Sequence, residues 1–259
     1  MNKAKLEGRC LGGGKSIVEV TAGEQFGLYV HHNSATPVNI SYGIDNIFVR
    51  NHSVTIGDRT YLHVVEHLFS ALFGMRIYDV RIDVYGEEIP FFDGSSQKFV
   101  NALDGFENGH VPRVRSAERI EVAEGNSHIT YLPMDTDDLI VEMSLIHPHI
   151  GTQRIILKTD VGTYRSEIAP ARTFVFTDEN DPRLQRLPPY GIGITEGRMY
   201  SATPLRFPDE PVRHKLLDLL GDLYVLRRPF SGKIIGVNTS HQLNVQFARQ
   251  LSLSLRDYV

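Results

Sequence analysis

Short stretches of alternating apolar and polar residues occupy the first fifty positions, and such alternation is typical of β-strands with one buried face. The stretches are 16–20, 26–30 and 47–49. After Tyr61 the apolar spacing lengthens to that of a helix, whose one side is formed by Val64, Val65, Leu68, Ala71, Leu72 and Met75. A further strand is predicted at 80–84. A second helix is predicted after Ser95 or Ser96, since either serine can cap it.

Residues 105–118 contain glycine, asparagine, histidine, proline and arginine with few apolar residues, and this composition predicts a linker. A second series of elements follows the linker. Strands are predicted at 118–123, 127–133, 138–146, 153–158 and 233–237, and helical stretches at 164–170, 210–227 and 241–256. Each half consists of strands, helix, strand and helix. We therefore predict an α+β fold with two domains, residues 1–110 and 111–259, each a sheet with helices.

The composition narrows the classes of protein that fit this pattern. The chain has 259 residues, 41% hydrophobic and 22% charged, as expected of a globular protein with sizeable cores. A formal net charge of -4 gives no electrostatic case for nucleic-acid binding. The one cysteine, Cys10, excludes an internal disulfide and a cysteine-rich zinc site. The sequence shows no signal peptide and no run long enough for a transmembrane segment, so we expect a cytoplasmic enzyme.

The glycine-rich run at 8–16 resembles a phosphate-binding loop, but its spacing differs. A Walker motif that ends in Gly14-Lys15-Ser16 requires a glycine at the position of Arg9. The sequence therefore does not predict a P-loop nucleotide site.

The helix predicted around 211–222 carries a row of ionisable side chains among leucines. His214, Asp218 and Asp222 are spaced i, i+4 and i+8, so all three project from one face. Imidazole and carboxylate groups are costly to bury unless they are paired or bind a cation. A histidine and an aspartate one turn apart suit zinc in spacing and in chemistry. The same spacing fits a surface helix with an ion pair, and the helix alone leaves both interpretations open.

Further polar positions are candidates for chemistry. Glu66 and His67 are adjacent, and a carboxylate next to a metal ligand can act as a base toward water. Alternatively, His63, which lies four residues before His67, could form a two-histidine zinc-binding face together with His67. Thr173 lies between apolar residues and either aims its hydroxyl at a reacting carbonyl or bonds to backbone. His241, at a predicted helix start, is either a general acid or a helix cap.

Five motifs, taken in their order along the chain, carry a resemblance to a known family. They are 65–72 (Val-Glu-His-Leu-Phe-Ser-Ala-Leu), 88–95 (Glu-Ile-Pro-Phe-Phe-Asp-Gly-Ser), 171–174 (Ala-Arg-Thr-Phe), 212–223 (Val-Arg-His-Lys-Leu-Leu-Asp-Leu-Leu-Gly-Asp-Leu) and 240–244 (Ser-His-Gln-Leu-Asn). With them the chain resembles the UDP-3-O-acyl-N-acetylglucosamine deacetylase family, the zinc amidases of lipid A biosynthesis. The resemblance implies two α+β domains whose helices pack face to face, with the active site at the interface.

The resemblance also implies an activity and a metal site. The implied activity is zinc-dependent hydrolysis of the N-acetyl amide of UDP-3-O-acyl-N-acetylglucosamine, a nucleotide-sugar substrate, with release of acetate in lipid A biosynthesis. His67, His214 and Asp218 match the family's zinc ligands, and Glu66 matches its general base. Asp93 matches a residue whose role is mainly structural.

Other matching side chains would act on the substrate. Thr173 matches a residue that helps to hold the oxyanion, and Phe174 lies beside the substrate. Lys215 matches a lysine that contacts the substrate. His241 matches a histidine that acts as a cation or acid, and Asp222 matches the carboxylate paired with it. Protons are then handled by Glu66 alone or by Glu66 together with His241.

Several positions depart from the family pattern. Many relatives have Gly-Leu-His-Thr-Gly near the N-terminus, where this chain has Gly12 in place of the histidine. Asn238 replaces a lysine, Ser240 replaces a glycine, and 187–198 differs from the segment near the acyl-chain passage. The chain is also shorter than typical members. The groups that cut the amide are intact, whereas those expected to hold the diphosphate and the acyl chain are altered. The alternatives are therefore a deacetylase for another N-acetylated sugar or nucleotide sugar and a non-catalytic zinc-binding scaffold.

Overall fold

As far as the structure describes it, the N-terminal half contains two sheets, two α-helices and a 3-10 helix, Ile44–Asn46. A computed structural model describes residues 2–23, 25–32, 36–106, 113–185 and 191–257 of the chain. The elements of this half are β1 (Lys3–Arg9), β2 (Lys15–Ala22), β3 (Gly27–Val30), β4 (Val38–Asn39), β5 (Ile47–Arg50), β6 (Ser53–Gly57), β7 (Tyr61–His63), α1 (Glu66–Gly74), β8 (Val80–Tyr85) and α2 (Gln97–Ala102).

The larger N-terminal sheet has the strand order β1-β2-β8-β3-β4. Only the β3–β8 pair is parallel, and the other neighbours are antiparallel. Val18 and Val20 on β2 and Ile82 and Val84 on β8 are buried on the inner face, as the alternation of the sequence predicts. The smaller sheet, β5-β6-β7, lies next to the start of α1 in the chain.

The C-terminal half contains the 3-10 helices Pro182–Gln185 and Tyr224–Leu226 and a series of strands and further helices. They are β9 (Val114–Arg115), β10 (Ile120–Glu124), β11 (Ser127–Leu132), β12 (Leu139–His147), β13 (Gly151–Lys158), α3 (Val161–Thr163), β14 (Phe174–Phe176), β15 (Ile192–Thr195), β16 (Arg198–Tyr200), α4 (Glu210–Leu223), β17 (Gly232–Val237), α5 (His241–Ser254) and β18 (Arg256–Asp257). A π-helical turn, Tyr164–Ile168, continues α3.

The main C-terminal sheet repeats the arrangement of the N-terminal one. Its strand order is β10-β11-β17-β12-β13, and only the β12–β17 pair is parallel. In both sheets a late strand of the half, β8 or β17, is inserted between an early hairpin and the strand with which it runs parallel. The predicted α+β fold with a sheet in each half is confirmed.

Three helices bring the two halves together. Every residue of α1 is buried, and this helix packs mainly against α4. Helix α4 also packs against α5, β12 and β13. Gly221 lies where α4 meets α1, and a Cβ placed on it would be 2.2 Å from the Glu66 carbonyl oxygen. The absence of a side chain at position 221 therefore sets how closely the two helices approach.

Most predicted elements are present, with some differences. The helix predicted at 164–170 is a π-helical turn, Tyr164–Ile168, which follows the three-residue α3, and strands β14–β16 were not predicted. Ser96 precedes α2 but does not cap it, because its hydroxyl donates to the His67 carbonyl oxygen at 2.8 Å. The predicted boundary at 110/111 and much of the linker fall on 107–112, outside the described residues. No helix among the described residues has the length and apolar character needed to cross a bilayer.

Candidate active site

The site begins at the N-terminal end of α1, where the chain leaves β7 through a left-handed residue. Val64 has φ of 59°, an uncommon conformation for a β-branched side chain. Helix α1 starts at Glu66, whose buried carboxylate accepts a hydrogen bond from the Val54 N–H of β6 at 3.1 Å. The small sheet therefore holds one oxygen of this carboxylate through its backbone.

The structure brings three of the predicted residues together from both halves of the chain. Ligand atoms of His67, His214 and Asp218 lie within 4.8 Å of one another, and all three side chains are buried. His67 comes from α1, and the other two come from α4. His63 is not part of this group. It lies on β7, and its Nδ1 is 2.9 Å from the Thr55 hydroxyl.

The polar atoms of this group suit a cation. His214 Nδ1 donates to the Ala171 carbonyl oxygen at 3.0 Å, which leaves Nε2 as the ring nitrogen directed at the other two side chains. That Nε2 lies 3.2 Å from Asp218 Oδ1, which has no hydrogen-bond partner among the described residues, and the same holds for His67 Nδ1. Buried polar atoms without a partner are costly, and a metal ion with nitrogen and oxygen ligands would remove that cost.

Burial and neighbouring charges put two of these side chains, His67 and Asp218, in the protonation states that a metal requires. Burial, with His214 adding to its effect, lowers the pKa of His67 to about 3. Burial alone would raise the pKa of Asp218, but His214 and His241 outweigh it and hold that pKa well below its ordinary value. A neutral imidazole and an ionised carboxylate are the forms that bind metals.

Glu66 and His241 both have shifted pKa values, and the charge of each affects the other. Burial raises the pKa of Glu66 to about 7, although the His241 ring opposes the shift. For His241, burial would lower the pKa, but the Asp222, Asp218 and Glu66 carboxylates outweigh it and raise the pKa to about 10. A carboxyl group near neutrality and an imidazolium cation are thus present beside the histidine–aspartate group.

Asp222 is the direct partner of His241. The two are joined at 2.8 Å between His241 Nδ1 and Asp222 Oδ2, and Asp222 is fully buried. Burial raises the pKa of Asp222, and His241 opposes that shift. Asn244 donates a second hydrogen bond to the same oxygen at 2.7 Å. The expected Asp222–His241 contact is present. The Asn244 amide, which the sequence did not indicate, binds the same Asp222 oxygen.

Thr173 is held between two glycines. Its N–H donates to the Gly94 carbonyl oxygen at 2.7 Å, and its carbonyl oxygen accepts from the Ile192 N–H at 2.8 Å. A Cβ on Gly94 would lie 2.7 Å from the Thr173 Cγ2, and one on Gly191 would lie 2.8 Å from the Thr173 oxygen. Both glycines have positive φ, 78° in each case. The residue after Asp93 in the Asp-Gly-Ser motif therefore contacts the threonine directly.

Phe174 and Lys215 lie next to the histidines. The Phe174 ring is 6.3 Å from the His214 ring, and Lys215 Nζ is 5.5 Å from the centre of the Phe174 ring. Lys215 Nζ also lies 3.6 Å from Asp218 Oδ2. The Phe91 ring lies 5.3 Å from the His67 ring. The sequence predicted Phe174 and Lys215 but not Phe91, although Phe91 belongs to the quoted 88–95 motif.

Comparison with known proteins identifies the family of this chain. The sequence profile of the family described as UDP-3-O-acyl N-acetylglycosamine deacetylase matches residues 1–253. A protein from Geotalea uraniireducens named UDP-3-O-acyl-N-acetylglucosamine deacetylase is 29% identical over an alignment of 266 positions. The alignment covers 96% of this chain and 86% of the relative. The protein of that name from Chlamydia trachomatis serovar D is 30% identical over 91% of this chain and 86% of its own length. The one from Phenylobacterium zucineum is 35% identical over 73% of this chain and 68% of its own. The chain belongs to the UDP-3-O-acyl N-acetylglycosamine deacetylase family.

Proposed function

We propose that this chain hydrolyses the N-acetyl amide of UDP-3-O-acyl-N-acetylglucosamine, releasing acetate, as a step of lipid A biosynthesis. The observation that carries the proposal is the buried group of His67, His214 and Asp218 with Glu66 beside it, in a chain of this family. A nucleotide-linked substrate agrees with the cytoplasmic location expected from the sequence.

The metal in this proposal is zinc, held by His67, His214 and Asp218. Two imidazole nitrogens and one carboxylate oxygen form a ligand set that zinc accepts, and three protein ligands leave a position open for chemistry. When bound, zinc supplies Lewis-acid chemistry, since it polarises an amide carbonyl and lowers the pKa of water. The Ala171 carbonyl fixes the His214 ring through its Nδ1, so the opposite nitrogen faces the other ligands.

Glu66 acts as the general base. Its pKa of about 7 suits a group that must accept a proton from the attacking water and then release it near neutral pH. The Val54 N–H binds one carboxylate oxygen, so the other is available for the water. The Thr173 hydroxyl donates a hydrogen bond to the oxyanion that develops on the amide. Donors of this type contribute about 3 kcal/mol where measured.

The leaving amine takes its proton from His241 or from Glu66. His241 is a cation at neutral pH because three carboxylates raise its pKa, so it can donate directly or stabilise negative charge. Glu66 can instead carry the proton of the water across to the amine. Lys215 and Phe174 contact the substrate, with the ammonium group facing its negative charge and the ring packing on its apolar surface.

A second candidate function is N-deacetylation of another N-acetylated sugar or nucleotide sugar. Asn238 has φ of 48°, and its side-chain oxygen accepts from the Ile146 N–H at 2.7 Å. The amide is thus bound to backbone at the position where many relatives carry a lysine. Fewer contacts to a diphosphate would favour a substrate with less charge. The non-catalytic scaffold remains the third alternative.

A substrate panel with metal analysis separates these functions. The panel contains UDP-3-O-acyl-N-acetylglucosamine with long and short acyl chains, UDP-N-acetylglucosamine and simple N-acetyl sugars, with acetate release as the measurement. We expect one zinc per chain and the highest kcat/KM on an acylated UDP-sugar. Higher activity on a substrate lacking the acyl chain or the nucleotide would support the second candidate. Bound zinc without turnover of any substrate would support the scaffold. Protein without zinc that added zinc does not activate would overturn the metal assignment.

A further inference from the structure

Asn244 is a fully buried amide on the first turn of α5, three residues after His241. Its Nδ2 donates to Asp222 Oδ2 at 2.7 Å, the same oxygen that His241 Nδ1 contacts at 2.8 Å. We propose that Asn244 is a positioning residue, which fixes the Asp222 carboxylate and through it the orientation of the His241 ring. This inference rests on the proposed function, in which His241 acts on the substrate.

The orientation of the amide follows from its neighbour. An ionised carboxylate only accepts hydrogen bonds, so Asn244 must turn its NH₂ toward Asp222 and its oxygen away. The oxygen Oδ1 then has no hydrogen-bond partner among the described residues. A buried amide that uses only one end is less favourable for stability than an apolar side chain of the same shape. The hydrogen bond to Asp222 is therefore the contact that distinguishes Asn244 from such a side chain.

Two donors on one helix turn restrict the carboxylate more than one donor would. His241 and Asn244 are separated by i, i+3 on α5, whereas Asp222 projects from α4. Asp222 Oδ1 has no hydrogen-bond partner among the described residues, so Oδ2 is the oxygen that faces α5. With one donor alone, the carboxylate could rotate and exchange its oxygens. With both donors, rotation breaks two charge-assisted hydrogen bonds at once.

A fixed carboxylate determines which nitrogen of His241 is available. The contact with Asp222 engages Nδ1–H, and so Nε2 is the nitrogen left to act on a substrate. Ser240 fixes the same turn by accepting the Leu243 N–H on its side-chain oxygen at 3.2 Å. The ring is thus held from its own helix and, through Asp222, from the neighbouring helix.

The test is Asn244→Leu, which keeps the approximate volume and removes the donor. The matched control is Gln246→Leu on an exposed position of the same helix. We expect kcat to fall by about 10- to 100-fold with KM and zinc content unchanged, as for the loss of a charge-assisted contact that orients a catalytic group. In histidine-labelled protein, the downfield His241 Nδ1 proton, assigned with His241→Gln, should shift or broaden. The Gln246→Leu control should retain the wild-type kcat and the wild-type His241 proton signal.

Other outcomes would overturn the proposal. An unchanged His241 proton signal in Asn244→Leu would show that the amide does not position the ring, whatever happens to kcat. A fall in kcat matched by loss of zinc would show a general structural role. If Asn244→Leu does not fold, Asn244→Ala is the second variant, because it removes the donor without adding an apolar side chain of different branching. It should change the same proton signal at pH 8. The signal is read without substrate, so failure of the proposed function would leave this test intact.

Discussion

Glu66 and Asp218 have the same functional group but opposite pKa shifts. Burial dominates for Glu66 and raises its pKa to about 7, whereas positive partners hold the pKa of Asp218 well below its ordinary value. Asp218 is therefore an anion suited to binding a metal, and Glu66 can exchange a proton near neutral pH. The division of roles between the two carboxylates follows from their surroundings.

Replacing Glu66 by glutamine tests its role as base. The amide keeps the shape and can still meet the β6 backbone, but it cannot accept a proton. We expect zinc content to be unchanged and kcat to fall by about 10²- to 10⁴-fold. Zinc is measured by elemental analysis and kcat by acetate release, with Glu124→Gln at the exposed end of β10 as control. Turnover like that of the control would remove Glu66 as the base.

The charge on His241 predicts a pH dependence of stability in metal-free protein. The pKa of His241 is about 10 in the folded chain and about 6.5 when unfolded, so the folded state binds the proton more tightly. Its contribution is complete below pH 6.5 and is lost as pH rises through 10, a loss on the order of a few kcal/mol. Denaturant unfolding of wild type and His241→Gln between pH 6 and 10 measures it. The wild type should lose stability more steeply, and parallel curves would contradict the prediction.

At the scale of single residues, the sequence predicts groups whose chemistry their type reveals. His67, His214 and Asp218 are recognisable because imidazole and carboxylate spaced along helices suggest a metal. Val54 and Ala171 are not recognisable, because each contributes a backbone group and any residue type has one. Their positions depend on how β6 and the loop before β14 fold against the helices.

At the scale of elements, the contact between α1 and α4 depends on Gly221. Alanine favours a helix over glycine by about 1 kcal/mol, so propensity alone predicts that Gly221→Ala stabilises α4. The added methyl would however lie 2.2 Å from the Glu66 carbonyl oxygen, which is backbone and cannot move without its helix. We expect the steric effect to dominate, with a net destabilisation of about 1–3 kcal/mol and reduced kcat.

Gly14→Ala is the control for that variant. A Cβ at Gly14 meets no atom within 4 Å, so its effect on unfolding should be small. Chemical unfolding of both variants provides the comparison. A Gly221→Ala variant more stable than wild type would show that the helices tolerate a wider separation.

A buried ion pair connects the start of α4 with the loop that carries Thr173. The Arg172 guanidinium contacts Glu210 at 2.7 Å, and both side chains are almost completely buried. Ser201, Thr203 and the Pro204 carbonyl accept further hydrogen bonds from Arg172. Arg172→Met should destabilise the protein by about 3–5 kcal/mol, because it leaves the Glu210 charge buried without its partner.

The exposed pair of Arg119 and Glu121 provides the contrast. Their side chains are 64% and 51% exposed. Arg119→Met should therefore change the free energy of unfolding by no more than about 0.5 kcal/mol. Equal effects of the two variants in urea unfolding would contradict the distinction.

Elements with strong periodicity were predictable, whereas those set by contacts across the molecule were not. Helix α4 and the strands of the C-terminal sheet agree with their predicted ranges to within a few residues. The short strands β14–β16 lack a clear alternation. The π-helical turn at Tyr164–Ile168 places the Tyr164 hydroxyl 2.9 Å from that of Ser70 on α1, a long-range contact that local sequence does not encode.

At the scale of the whole molecule, the proposed metal joins the two halves. Because His67 comes from one half and His214 and Asp218 from the other, binding energy couples them. Zinc at about 100 times its Kd should stabilise the folded chain by about 2.7 kcal/mol. Calorimetry with zinc and with chelator should show a higher Tm with the metal. The shift should be lost in His67→Ala, and a shift retained there would contradict this ligand.

The position of α1 also affects how the protein is made. All nine residues of α1 are buried, and its main cover, α4, lies about 140 residues later in the chain. A ribosome adding 5–20 residues per second thus leaves the apolar surface of α1 uncovered for roughly 7 to 28 seconds. A fragment of residues 1–106 should accordingly aggregate or bind chaperones when expressed alone, and co-expression of 113–259 should reduce this in a pelleting assay. The helix that carries the proposed base and a proposed metal ligand therefore completes its fold only late in synthesis.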